Sequence, residues 1–290
     1  MTDTIKTIAN HVENRRGAIT KLVAAGAGAA ILATGQQMLA SAQATPGASP
    51  VASPVANLEP IVVLVHGAFA DGASWGGVIA ELQSTGIPAL ATANPLRGIK
   101  ADATYLDSVL AGIPNPVILV GHSYGGAVIT NITATNVIGL VYVAAFVPDE
   151  NEVALQVLGS HTATELGTAL LPASVPASEA EVEVIIDPTK FASIFCADLP
   201  ATQAAVLAVS QRAVMAAAFS EPSGVPAWKT IPTWYALANQ DMALGIDVET
   251  FYAERTGGTI VKIDGSHAVA VSQPAAVAEV IKQALVALKP

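Results

Sequence analysis

Val117-Ile-Leu-Val-Gly-His-Ser-Tyr-Gly-Gly126 is the run on which the reading of the whole chain turns. Four apolar residues break into Gly121-His122-Ser123-Tyr124-Gly125, and a helix-like Ala-Val-Ile-Thr follows. This order predicts a buried strand, a sharp turn and a helix, with a serine at the turn. The glycines at 121 and 125 stand where strand and helix pack most closely, so a side chain at either would collide. Such a turn holds Ser123 in strained backbone geometry and pushes its oxygen out above the sheet. A glycine-rich loop that merely starts a helix shares the five-residue pattern, so it is the flanking strand and helix that carry the reading.

Working outward, Ile61–Val65 is an uninterrupted apolar run ending in His66-Gly67-Ala68-Phe69. It reads as a strand buried on both faces of a parallel sheet. A helix is predicted from about Ser74 to Ser84, a short strand over Ala89–Thr92 and a second helix over Thr104–Ala111. Val117–Val120 is then the third strand and Gly139–Val143 the fourth. Strands at 233–237 and 259–263 and a last helix over 275–288 complete the pattern. Alternation at this spacing implies right-handed β-α-β units, and hence an α/β fold with a mostly parallel sheet of about six strands.

The alternation stops between about Val147 and Trp228. This stretch is rich in Ala, Val and Leu and is broken by Pro172, Pro176, Pro188 and Pro200. It is expected to be a helical insertion, a cap over the carboxyl edge of the sheet.

A serine alkoxide is not available at neutral pH. Ser123 therefore needs a base to take its proton and a carboxylate to orient that base. Asp241 follows the strand at 233–237 and His267 follows the strand at 259–263, giving the chain order serine, acid, histidine. His11, His66, His122 and His161 compete for the role of base, and Asp264, Asp247 and Asp149 for the role of acid. His267 is preferred for its place after the last strand, and Asp241 for its distance past Leu237. Attack on an ester carbonyl also develops charge on oxygen, and each preorganised donor to it is worth about 3 kcal/mol. The backbone N–H groups of Tyr124 and Ala68 are the candidates for that oxyanion hole.

The segments VHGAFADGASW (65–75), GHSYGGAV (121–128), LVYVAAFVPDE (140–150) and GSHAV (265–269) together resemble the α/β-hydrolase superfamily. Within it they are similar to the esterase and hydroxynitrile lyase group that includes the plant methyl-salicylate esterases. The resemblance covers nearly all of 58–290 apart from much of the cap. It implies a serine triad, no cofactor, a small-molecule ester as substrate and a pocket roofed by the cap. Phe69, Trp75 and Tyr124 are expected to shape an apolar pocket. Lyases of the group place a threonine after the histidine of the first-strand loop and a lysine after the catalytic histidine. Gly67 and Ala268 stand there instead, which favours hydrolysis over lyase or perhydrolase chemistry on the same triad. Asn239–Leu244 also departs from relatives that carry Ile-Pro-Pro just after the acid. A non-catalytic protein that holds a small apolar ligand is the remaining reading, and the complete Ser/His/Asp set counts against it.

The first 44 residues have a different composition. Arg15-Arg16 and Lys21 precede a run of Ala, Gly, Val, Leu and Ile, and Ala40-Ser-Ala-Gln-Ala44 follows. This reads as an export signal of the twin-arginine type, with a general secretory signal as the alternative. Its apolar run is too short for a membrane span, so no stable anchor is expected. Thr45–Asn57 is a Pro/Ala/Ser linker, and the hydrolase domain is placed at 58–290. The chain is 52% hydrophobic and 12% charged, with a formal net charge of -10. That is core-forming composition, and its acidity disfavours nucleic acid and anionic membranes. Cys196 is the single cysteine, so no intrachain disulfide forms, and it reads as a buried filler. Composition implies no oligomeric state.

Overall fold

The computed structural model describes residues 58–173 and 182–289. The expected export signal and linker lie outside the described residues. Six parallel strands form the central sheet: β1 (Ile61–Val65), β2 (Ala89–Thr92), β3 (Val117–His122), β4 (Val137–Val143), β8 (Thr233–Ala238) and β9 (Thr259–Ile263). Their spatial order is β2-β1-β3-β4-β8-β9. The order reverses beside β1 and β3, and a crevice at the carboxyl ends of the strands is where open α/β sheets hold ligands.

Side chains alternate across each strand, so one sheet supplies two cores. Val62, Leu64, Ile118 and Val120 face helices α1 (Gly76–Ser84) and α9 (Pro274–Ala287). Val63, Val65, Val117 and Leu119 face the other way. They pack with α2 (Ile99–Leu110), α3 (Tyr124–Thr130), α7 (Ile246–Arg255) and residues of the insertion. The helix expected over 104–111 begins five residues earlier. Gly98 turns the chain at φ 149°, and the Asp102 carboxylate accepts the N–H groups of Arg97 at 3.1 Å and Gly98 at 3.5 Å. Asp102 thus satisfies donors ahead of the first turn, in the manner of a helix cap.

The segment between Val147 and Trp228 is not purely helical. It carries α4 (Ala154–Gly159), α5 (Phe191–Phe195) and α6 (Ala201–Val209), and also a three-stranded antiparallel sheet. That sheet joins β5 (Leu170–Pro172), β6 (Glu183–Ile186) and β7 (Val214–Met215). Val184-Ile-Ile186 is β-branched, with Val184 and Ile186 buried on one face, the period of a strand. Pro172, which has no N–H to donate, sits at the end of an edge strand, where sheets tolerate it. Among the described residues no helix is long and apolar enough to cross a membrane.

Candidate active site

The site is built at the carboxyl ends of β3, β8 and β9. Ser123 follows β3 directly and has φ 52° and ψ -123°, a strained conformation for a residue with a side chain. The glycines on either side explain how the turn closes. A Cβ at 121 would lie 2.7 Å from the Gly125 carbonyl oxygen, and one at 125 would lie 2.6 Å from that of Val65. Gly67 brings the loop after β1 equally close, since a Cβ there would sit 2.7 Å from Cβ of Ser123.

Three of the predicted site residues meet. The carboxylate of Asp241 can only accept, so Nδ1 of His267 carries the hydrogen and donates to Oδ2 at 2.6 Å. Nε2 of His267 is then the acceptor for the Ser123 hydroxyl at 2.9 Å. Asp241 is held from its other oxygen, Oδ1, by the N–H groups of Ala243 at 2.6 Å and Leu244 at 2.9 Å. Ser123, Asp241 and His267 are 6%, 3% and 2% exposed. Burial alone would raise the Asp241 pKa, but the neighbouring imidazole and the hydrogen bonds it receives hold it below the usual carboxylate value. The rival acids are engaged elsewhere. Asp264 accepts from Gln240 at 2.6 Å, Asp247 from the N–H of Thr162 at 2.8 Å, and Asp149 pairs with Lys229.

His11 lies outside the described residues, and the other three histidines are engaged elsewhere. His66 accepts the Asn94 N–H on Nε2 at 3.0 Å and donates from Nδ1 to the Gly67 carbonyl at 2.9 Å, which bolts the first loop in place. His122 donates from Nε2 to the carbonyl of His267 at 2.8 Å. Burial, with the neighbouring His267, lowers its pKa to about 3, so it is neutral at all physiological pH. His161 bonds back to the preceding helix through the Val157 carbonyl at 2.9 Å.

Among the described residues, neither the N–H of Ala68 nor that of Tyr124 donates to a protein acceptor. The Tyr124 side chain points away to Asp102, to which its hydroxyl donates at 2.8 Å. Phe69, at φ 64°, stacks on Phe219 of the insertion with ring centroids 6.3 Å apart. Trp75 is placed differently from expectation. It is fully buried in the core formed with Val78 and Leu82, edge-on to His122, and so supports the turn from below instead of shaping a pocket with Phe69. Cys196 is buried, and desolvation pushes its thiol up to about 11, which leaves it unreactive.

Sequence reasoning missed the clamp that the insertion places on the histidine loop. Asp198 accepts the N–H and the hydroxyl of Ser266, the N–H at 3.0 Å. The N–H of Ala268 donates to the Phe195 carbonyl at 2.9 Å, and the Phe195 ring stands edge-on to His267 with centroids 4.8 Å apart. These partners are about 70 residues apart in the chain, and no local pattern joins them. Among the described residues no group of three metal-ligating side chains is found.

A six-stranded parallel sheet with a serine elbow after β3, an acid after β8 and a histidine after β9 defines an α/β hydrolase. The chain belongs to the alpha/beta hydrolase family, whose pattern residues 62–280 match. It is 26% identical over 249 residues to the probable hydrolase R7 of Phoma sp., an overlap of 78% of this chain and 98% of that protein. It is 36% identical over 105 residues to a carbendazim hydrolyzing esterase of Nocardioides sp., covering 31% of this chain and 43% of that one. In three dimensions it resembles the methylesterase MES16 of Arabidopsis with a TM-score of 0.65 at 17% identity, over 79% of this chain and all of that one.

Proposed function

We propose that the protein hydrolyses carboxylic esters of small, largely apolar substrates through an acyl-enzyme on Ser123. The observation that carries this reading is the hydrogen-bond chain from Ser123 through His267 to Asp241, at 2.9 and 2.6 Å. In this reading Ser123 Oγ attacks the carbonyl carbon while its proton passes to Nε2 of His267. Asp241 keeps the imidazole in the required tautomer and stabilises its charged form. The oxyanion is received by the N–H groups of Ala68 and Tyr124, which have no other partner among the described residues. Collapse expels the alcohol with the proton from His267, and water then releases the acid by the same route.

The substrate preference is supported by the aromatic surroundings. Phe195 stands against His267, and Phe219 packs over both Phe69 and Tyr124. The names of the esterase relatives agree with ester chemistry. Short p-nitrophenyl esters assayed with the wild type and with Ser123→Ala test the reading, and retained hydrolysis by the variant ends it. A panel of aliphatic and aromatic esters then orders acyl preference. We further propose, from the first 44 residues alone, that the protein is exported by the twin-arginine route. Replacing Arg15 and Arg16 by lysine should leave it inside the cell, and normal export would favour the general secretory route.

A further inference from the structure

Behind Asp241 lies a second carboxyl group that the triad does not use. Glu249, in the first turn of α7, is completely buried. Its Oε2 accepts the N–H of Ala238 at 3.0 Å. The carbonyl of the same Ala238 accepts the N–H of Asp241 at 3.2 Å, so Glu249 grips the residue from which the acid-bearing turn hangs. Among the described residues its other oxygen, Oε1, has no partner of ordinary hydrogen-bond geometry, although the carboxyl lies against that of Asp241. Among the described residues, no lysine, arginine or histidine forms an ion pair with Glu249.

Two adjacent carboxyls in an apolar site cannot both ionise cheaply. Asp241 holds His267 and two backbone N–H donors, whereas Glu249 has one backbone donor. The shared proton therefore belongs to Glu249. We propose that Glu249 is a positioning residue that supports Asp241 as a neutral carboxylic acid, and that loss of its proton sets an alkaline limit on the enzyme. The proposal rests on the serine-hydrolase reading above for its effect on catalysis.

Burial first, and the Asp241 charge second, raise the Glu249 pKa well above the usual carboxylate value, in keeping with this role. The groups facing it from each neighbouring element do not compete for the titration. Tyr235, on β8, exchanges hydrogen bonds with both backbone groups of Ala145, and burial keeps its hydroxyl neutral. Tyr252, on the same helix, is neutral for the same reason. Arg255 is committed to Glu152 and the Val147 carbonyl. Ionised Glu249 would put a second negative charge beside Asp241 and push the two apart, tilting His267 away from Ser123.

The test compares wild type, Glu249→Gln and Glu249→Ala in kcat and KM across pH and in thermal unfolding at about pH 5 and pH 9. Glutamine keeps the acceptor for Ala238 and a donor toward Asp241 but does not titrate. It should hold kcat at neutral pH and shift or abolish the alkaline limb, whereas alanine should lower kcat at least about tenfold with little change in KM. An alkaline limb unchanged by glutamine overturns the proposal. Unfolding gives a readout independent of catalysis. Above the ordinary carboxylate range the unfolded chain releases the Glu249 proton and the folded chain keeps it, so wild-type stability falls as pH rises toward the raised value. Glu249→Gln should therefore gain on the wild type between pH 5 and pH 9, and parallel behaviour at both also overturns the proposal. If Ser123→Ala retains full hydrolysis while the unfolding difference persists, the serine reading has failed and the buried proton stands.

Discussion

His122, the residue just before Ser123, donates a hydrogen bond of 2.8 Å from its ring to the backbone carbonyl of His267. One histidine thus fixes the main chain of the other, and their ring centroids lie 4.8 Å apart. Replacing His122 by phenylalanine keeps the bulk but removes the donor, leaving a buried carbonyl unpaired. The expected cost is about 1–3 kcal/mol in urea unfolding, together with a loss of kcat as the His267 loop relaxes. Because His122 is already neutral, the fractional loss should be the same at every pH between 5 and 9. A loss confined to one side of that range would mean that His122 exchanges protons.

The choice of acid is decided by which carboxylate faces Nδ1 of His267. Asp241→Asn can present an N–H to that nitrogen, stabilising the wrong tautomer, and kcat should fall by roughly three to four orders of magnitude. Asp264→Asn removes the charge but keeps an oxygen to accept from Gln240, and should leave kcat as it is. Steady-state rates of the two variants side by side separate the assignments, and the reverse ranking would transfer the role to Asp264.

Much of this is legible in the sequence alone, and the physical reason differs from residue to residue. The strands β1 and β3 show themselves as continuous apolar runs because both faces are buried. The elbow shows itself because its glycines answer to contacts within a few residues and to one neighbouring strand. The strands of the insertion were hidden by an alanine-rich composition shared by helices and buried strands, and only Val184-Ile-Ile186 carries a strand signal. A large aromatic near the first loop fits either side of the sheet, so the sequence alone does not place Trp75. The residue lies in the core on the α1 and α9 side, which no local pattern specifies. Asp198 and Glu249 escaped notice because each acts on a residue that only the completed fold brings near.

Asp198 gives the clamp on the histidine loop a pH dependence of its own. Partial burial raises its pKa, but the hydrogen bonds from Ser266 outweigh this and hold it below the ordinary aspartate value. The stabilisation is therefore present above the unfolded-state pKa of about 3.9 and is lost as pH falls through the lower folded value. Asp198→Asn should unfold at lower urea than the wild type at pH 7, and the gap should shrink below about pH 4. The same variant should lose kcat, since Ser266 and Ala268 flank His267 and are held by the insertion. A gap that is constant down to pH 3 would remove the carboxylate from the account.

The strain at Ser123 can be measured directly. A φ of 52° with ψ of -123° suits glycine and not serine or alanine, and such a conformation costs about 1–3 kcal/mol. Glycine loses more backbone entropy on folding, by about 0.5–1 kcal/mol relative to alanine, which offsets part of the relief. Ser123→Gly and Ser123→Ala should both be inactive, since neither carries the hydroxyl. Of the two, the glycine variant should be the more stable, by about 1 kcal/mol in denaturant unfolding. It should also exceed the wild type, apart from the small contribution of the lost hydrogen bond to His267. A glycine variant less stable than alanine by about 0.5–1 kcal/mol would show that the turn is held without strain, and that the position of Ser123 rests on the glycines at 67, 121 and 125 alone.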